Sequence, residues 1–265
     1  MSSSFIPVQR GRINLSADFK SASSLDLPRI ILLDMNSFFA SVEQQANPFL
    51  RNRPLGVVAS MHPSSCIIAS SKEAKVKGIK AGTLVKHAKR ICPDIILTHS
   101  EPEKYREVSR SVNKILLQYT DQVEPYSIDE SFIDLRGSKL NPLQVGAEVK
   151  QRIKDEVGEW LTCSVGISSN KFLAKLASEL KKPDGLTIIW REHLREVYKG
   201  MKLSDLWGIA RGWTNRLARL NIVSPAQLLD YPVQNLISLY GKPGFYIWRR
   251  VNGLEEDEIR NEEDP

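Results

Sequence analysis

The chain has 265 residues, 42% of them hydrophobic and 26% charged, which excludes a disordered class and leaves room for two or three domains with separate cores. No apolar run approaches the roughly 18 residues that a membrane-spanning helix needs, and the three scattered cysteines, Cys66, Cys92 and Cys163, support neither a disulfide framework nor a zinc knuckle, which points to a reducing compartment. The net charge of +6 is uneven: Glu255 to Pro265 holds seven acids against Arg260 alone, so the remainder carries +12, a balance that suits a polyanion such as nucleic acid or, equally, a solvated Lys/Arg surface.

Residues 1–27 are rich in serine and lack periodicity, which predicts a flexible extension and gives no apolar segment for a signal peptide. Arg29-Ile30-Ile31-Leu32-Leu33-Asp34 then reads as a central strand covered on both faces and ending in an acid. Asn36 to Glu43 follows as a helix entered straight from that strand, and Asn47-Pro48 ends it. Two short strands are expected over Leu55–Ala59 and Ser65–Ala69, with a turn at His62-Pro63-Ser64. From Lys72 to Arg90, seven basic residues stand against Glu73, broken by Gly78 and Gly82. A helix, a tight turn and a second helix there present either a phosphate-binding surface or a solvated cationic face.

Val108, Val112, Ile115, Leu116 and Tyr119 recur at helical spacing, and Gln122 to Leu135 reads as a β-hairpin. A helix over Val145–Val157, a strand over Leu161–Ile167, a helix over Asn170–Leu180 and a strand over Leu186–Trp190 complete a pattern like the split βαβ arrangement, with an insertion after the first strand. From His193 the pattern is all-helical. Leu206-Trp207-Gly208-Ile209-Ala210 followed by Asn215 to Leu220 fits either a helix-hairpin-helix, whose turn amides meet a DNA phosphate, or a plain packing element. Residues 254–265 read as an acidic linker or frayed end.

Asp129-Glu130 interrupts the apolar hairpin strand. Taken alone, the pair is either a wet strand edge or a cation site. If Asp34 ends a neighbouring strand, three carboxylates converge, and such a hard-oxygen cluster suits Mg²⁺ in phosphoryl or nucleotidyl transfer. Consecutive strand residues point to opposite faces, so Asp129 and Glu130 serve one site only where the strand turns.

Asp34-Met35-Asn36-Ser37-Phe38-Phe39-Ala40-Ser41-Val42-Glu43, Tyr126-Ser127-Ile128-Asp129-Glu130-Ser131-Phe132, Ser164 to Lys171, Lys182-Pro183-Asp184-Gly185 and Leu206-Trp207-Gly208-Ile209 together resemble the ordered motifs of Y-family translesion DNA polymerases, the DNA polymerase IV and V group. The resemblance covers roughly residues 29–255. It implies an α+β fold: a ferredoxin-like palm (28–37 and 103–192), small α/β fingers inserted at 38–102, and an all-helical thumb at 193–253. It implies a DNA-directed DNA polymerase adding dNTPs to a primer 3′-hydroxyl, in damage tolerance and repair. Asp34, Asp129, Glu130 and the Met35 carbonyl would bind two Mg²⁺ ions, with Asp34 and Asp129 both shared between the ions and Glu130 holding the one nearest the primer hydroxyl.

By the same resemblance Phe39 is a steric gate against ribose, Phe38 lies beside the nucleotide, Lys182 and Lys75 approach the triphosphate, and Gly208 and Ala210 meet DNA. The implied partners are primer-template DNA and a dNTP, with a sliding clamp or accessory subunit, no membrane, and a cytoplasmic or nucleoid location. Two features depart from the family pattern. Lys72-Glu73-Ala74-Lys75 replaces a Tyr-Glu-Ala-Arg-like segment, which takes the bidentate guanidinium from the triphosphate. The family's C-terminal little finger, which grips DNA, has no counterpart before residue 265, so the chain is either a fragment or dependent on a partner. A non-catalytic DNA-binding scaffold and a palm-fold nucleotide cyclase are the alternatives from other functional classes.

Overall fold

A computed structural model describes residues 27–255 and 258–260; the expected N-terminal extension over 1–26 lies outside them. In chain order the elements are β1 (Ile30–Met35), α1 (Phe38–Ala46), β2 (Leu55–Val58), β3 (Ile67–Ser70), α2 (Lys72–Val76), α3 (Val85–Ile91), β4 (Ile96–His99) and α4 (Pro102–Leu116). There follow β5 (Val123–Pro125), β6 (Glu130–Asp134), α5 (Pro142–Arg152), β7 (Cys163–Ser168), α6 (Lys171–Leu180) and β8 (Leu186–Ile188). The C-terminal part holds α7 (Leu194–Val197), α8 (Arg211–Ala218), α9 (Pro225–Asp230), α10 (Val233–Tyr240) and α11 (Lys242–Val251). The fold is α+β, as expected. All three cysteines are free.

The main sheet has the order β5-β6-β1-β7-β8, with β1 antiparallel to both neighbours. Its unbroken apolar run follows from burial on both faces. Ile31 and Leu33 join Ile133, Val165 and Ile167 in the core that contains Val112, Ile115 and Leu116 of α4 and Val145 and Val149 of α5. Ile30 and Leu32 point the other way, into a cluster with Phe132 and with Ala174 of α6. The alternation of side chains therefore puts Asp34 and Glu130 on the face that α6 covers.

Helix α6 ties the sheet to the C-terminal helices. Asn170 caps its N-terminus by accepting from the Leu173 amide at 2.8 Å. Ala174 faces the sheet, whereas Phe172, Leu173 and Leu176 enter the core built on Leu203, Leu206, Leu217, Leu228 and Val251. The close approach is possible because β7 carries Gly166, where a Cβ would lie 2.0 Å from the Ala174 carbonyl and 2.4 Å from the Ser178 amide. Gly166→Ala should therefore push α6 off the sheet and destabilise the chain by roughly 3 kcal/mol, measured by urea denaturation. A change below about 0.5 kcal/mol would show that α6 has slack there.

The inserted segment forms a second sheet, β3-β2-β4, with β2 antiparallel to β3 and parallel to β4. Strand β4 escaped the sequence reading, since four residues are too few to show a period. A small core of Val58, Ile67, Ile79, Val85 and Ala88 closes this unit. Gly78 and Gly82 hold φ of 87° and 84° in the turn between α2 and α3, the left-handed region that glycine enters freely.

The C-terminal tail, expected as an acidic linker or frayed end, packs on the sheet as far as it is described. Ile259 is buried against Ile30, Leu32, Phe132 and Ala174, the Glu258 carbonyl accepts from Lys171 Nζ at 2.8 Å, and the Arg260 amide donates to Glu124 at 2.7 Å. An apolar residue set among acids supplies the anchor that net charge hid. Residues 256, 257 and 261–265 lie outside the described part.

Candidate active site

The pairing of β1 with β6 sets Asp34 directly opposite Glu130. Like charges in that position repel, and the repulsion needs compensation. Asp129 lies in the bend just before β6, where its carbonyl accepts from the Met35 amide at 2.9 Å and its carboxylate accepts from the Ser127 hydroxyl at 2.8 Å. The alternation that sets consecutive strand residues on opposite faces therefore does not apply to it. Among the described residues no three Asp, Glu, His or Cys side chains form a ready-made cage, because each carboxylate has its own partner. Lys182 Nζ donates to Asp34 at 2.5 Å, and Lys175 Nζ donates to both Glu130 oxygens at 2.6 and 2.5 Å. The candidate ligand atoms, the carboxylates of Asp34, Asp129 and Glu130, are all oxygens, which fits a hard cation.

Burial raises the Asp34 carboxyl from 3.8 to about 6, against the opposing pull of Lys182 and with help from Glu130. For Lys182, burial acts to lower its value, but Asp34 and Glu179 outweigh it and the ammonium is raised. Between pH 4 and 6 the folded chain holds a proton on Asp34 that the unfolded chain releases. The stability this contributes is complete below about pH 4 and is lost as pH rises through about 6. Wild type should thus lose on the order of 2 kcal/mol across that window relative to Asp34→Asn. Urea denaturation at pH 4.5 and 7 measures it, and parallel stabilities at the two pH values would contradict the burial effect.

Beside the carboxylates opens a cleft of about 280 Å³ lined by Phe38, Phe39, Ile68, Lys75, Asp129 and Lys182, among others. Phe38 is almost fully buried, while Phe39 is half-buried and stacks on Tyr105 with centroids 4.2 Å apart and an interplanar angle of 10°. The Tyr105 hydroxyl donates to Glu43 of α1 at 2.8 Å, and Lys104 donates to the same carboxylate at 2.9 Å. Tyr105 is absent from the sequence reading. Its position on the inward stripe of α4 was the available signal, and nothing local marked it as the backing of Phe39.

Lys75 reaches the cleft and donates to the Ser37 hydroxyl at 2.8 Å; burial first, and then the charge of Lys182, lower its ammonium. Lys72 turns elsewhere, standing 5.1 Å over the Trp160 ring. The segment carrying Lys182 is tied down by Asn36, whose Oδ1 accepts from the Asp184 amide at 2.7 Å and whose Nδ2 donates to Ser164 at 2.9 Å. Lys150 donates to the Asp184 carbonyl and carboxylate at 2.8 and 2.6 Å. Sequence reading saw Asn36 only as a polar helix start and passed over Lys150.

Gly208 and Ala210 are not among the lining residues of this cleft. They sit in a turn between a short 3-10 segment, Leu203–Asp205, and α8. Gly208 takes φ of 77°, whereas Ala210 has φ of −79° and needs no glycine. Ala210 therefore sits in this turn without backbone strain.

Comparison with known proteins gives a consistent neighbourhood. Residues 33–179, more than half of the chain, match the model of the impB/mucB/samB family. A DNA polymerase IV of Xanthomonas axonopodis pv. citri is 36% identical over 238 residues, covering 89% of this chain. The chain spans 66% of that relative's length, just under two thirds. A solved structure of DinB from Sulfolobus solfataricus superposes with a TM-score of 0.74 at 27% identity, over 88% of this chain and 69% of the other. An insertion ternary complex of Dbh DNA polymerase gives 0.76 at 27% identity, with the same coverage of both chains.

Proposed function

The chain belongs to the impB/mucB/samB family, the Y-family polymerases, and from that premise we propose that it is a template-directed DNA polymerase of translesion type, adding a dNTP to a primer 3′-hydroxyl. The observation that carries this reading is the cross-strand pairing of Asp34 with Glu130 beside the Asp129 bend, all three lining the same cleft as Phe39 and Lys182. Family membership implies divalent-metal dependence; we assign the ions as two Mg²⁺, held by Asp34, Asp129, Glu130 and the Met35 carbonyl. When bound, such ions lower the pKa of the attacking hydroxyl and neutralise the departing pyrophosphate.

The chain's own residues do the rest. Lys182 and Lys75 place two cationic charges where a triphosphate would enter, Lys75 as a point charge without the forked geometry of arginine. The Phe39 ring, backed by Tyr105, would meet the sugar of the incoming nucleotide. Gly208 and Ala210 would turn backbone amides toward a DNA phosphate. Primer-template DNA and a dNTP are the proposed partners, with a clamp or accessory subunit for grip, and a cytoplasmic, nucleoid-associated site of action. Among the described residues no helix is long and apolar enough to cross a membrane.

Primer extension on undamaged and abasic templates, with Mg²⁺ or with chelator, tests the reading. Metal-dependent, template-matched insertion is expected. Binding of DNA with no insertion at any metal concentration would make the chain a scaffold, and a cyclic product from ATP without DNA would make it a cyclase.

A further inference from the structure

Lys175 is held from two sides. Its ammonium bridges both oxygens of Glu130, and the same Nζ stands 5.6 Å from the Trp207 ring centroid and 5.8 Å from that of Tyr126. Those two rings meet edge to face at 5.7 Å. The side chains of Lys175 and Glu130 keep only 15% and 17% exposure, so water screens the ion pair weakly. The four residues come from four places: α6, the start of β6, the residue just after β5, and the turn before α8. A cavity of about 420 Å³ borders Lys175 and Trp207 and gives the lysine room to move.

Building on the proposed function, we infer that Lys175 is a positioning residue that competes with a divalent cation for Glu130 and, once displaced, is received by Trp207 and Tyr126. An ammonium bonded to both oxygens of a carboxylate repels a dication arriving at the same group. The two rings lie within the roughly 6 Å at which an aromatic face attracts a cation even while Lys175 is paired, so an ammonium that leaves Glu130 keeps them and depends on them more once the carboxylate is gone. Trp207 is the residue next to Gly208 in the turn before α8, and it is exposed. Any movement of that turn on nucleic acid therefore changes how readily Lys175 leaves Glu130. By linkage the effect is reciprocal: cation binding at Glu130 biases the turn by the same factor.

Mn²⁺ binding to the DNA-free chain, followed by electron paramagnetic resonance, tests this without reference to activity. Lys175→Met should bind the ion about tenfold more tightly than wild type, whereas Lys175→Arg, which keeps the charge, should stay within twofold of it. Trp207→Ala should bind about threefold more weakly, because the displaced ammonium loses one ring, and this effect should vanish in the Lys175→Met background. In Glu130→Gln the Lys175→Met change should have no effect. Unchanged affinity in Lys175→Met overturns the competition, and unchanged affinity in Trp207→Ala overturns the link to the turn before α8. Asp34→Asn separates the two levels: if it leaves Mn²⁺ binding at the wild-type value, the proposed metal site itself fails, whatever Lys175 does.

Discussion

Asp129→Ala is expected to lower the single-turnover insertion rate by at least about 10³-fold, equivalent to roughly 4 kcal/mol of barrier, while DNA binding stays within a few-fold of wild type. The size of the effect follows from where Asp129 sits. The bend before β6 sets its carboxylate apart from the alternation of the strand, and the Met35 amide and Ser127 hydroxyl fix that bend. Asp34 and Glu130 are held opposite each other across the sheet and bonded to Lys182 and Lys175, so neither occupies the Asp129 position. Glu130→Gln should lower the chemical rate more than it weakens nucleotide binding, given its assigned place near the primer hydroxyl. Rapid-quench kinetics separate the two effects. Retained insertion in Asp129→Ala would falsify the assignment of the carboxylates.

The second large effect is a change of selectivity. Phe39→Ala should reduce discrimination against ribonucleotides by on the order of 10²-fold, since forcing an extra atom against a packed ring costs up to about 3 kcal/mol and that cost disappears with the ring. Incorporation of dNTPs should fall much less. Phe39 can act as a wall because it cannot retreat. Tyr105 stacks on it at 4.2 Å, and Glu43 anchors the tyrosine hydroxyl from the same helix that carries Phe39. Tyr105→Ala should accordingly loosen sugar selectivity too, by a smaller factor, without touching the nucleotide. The ratio of rNTP to dNTP insertion efficiencies in each variant measures both. Equal ratios in Phe39→Ala and wild type would remove the gate.

Asp34, Asp129, Glu130 and Phe39 could be singled out in the sequence because they lie in short contiguous motifs, the ones that carry the family resemblance. Their partners were not. Lys175 lies 45 residues from Glu130, and Lys182 lies 148 residues from Asp34. Lys182 was found through its place in a family motif, whereas Lys175 in the middle of α6 looked like any lysine on an amphipathic helix. Asn36 shows the same limit: its sequence position suggested a helix start, yet its amide joins β7 to the segment carrying Lys182. Ile259 is a further case, an apolar residue in an acidic tail whose burial depends on a sheet face built far upstream.

By itself the sequence determined most element types, β4 excepted, the burial of β1 on both faces and the identity of the acidic residues, because periodicity, turn chemistry and charge act over a few neighbouring positions. Only the tertiary structure decided that Asp34 faces Glu130 in register, that Gly166 lets α6 descend onto the sheet, and that two lysines from α6 and the segment after it compensate the paired charge. Those outcomes depend on strand order and helix placement, which arise when distant segments bury their apolar faces together, and no local window contains that information.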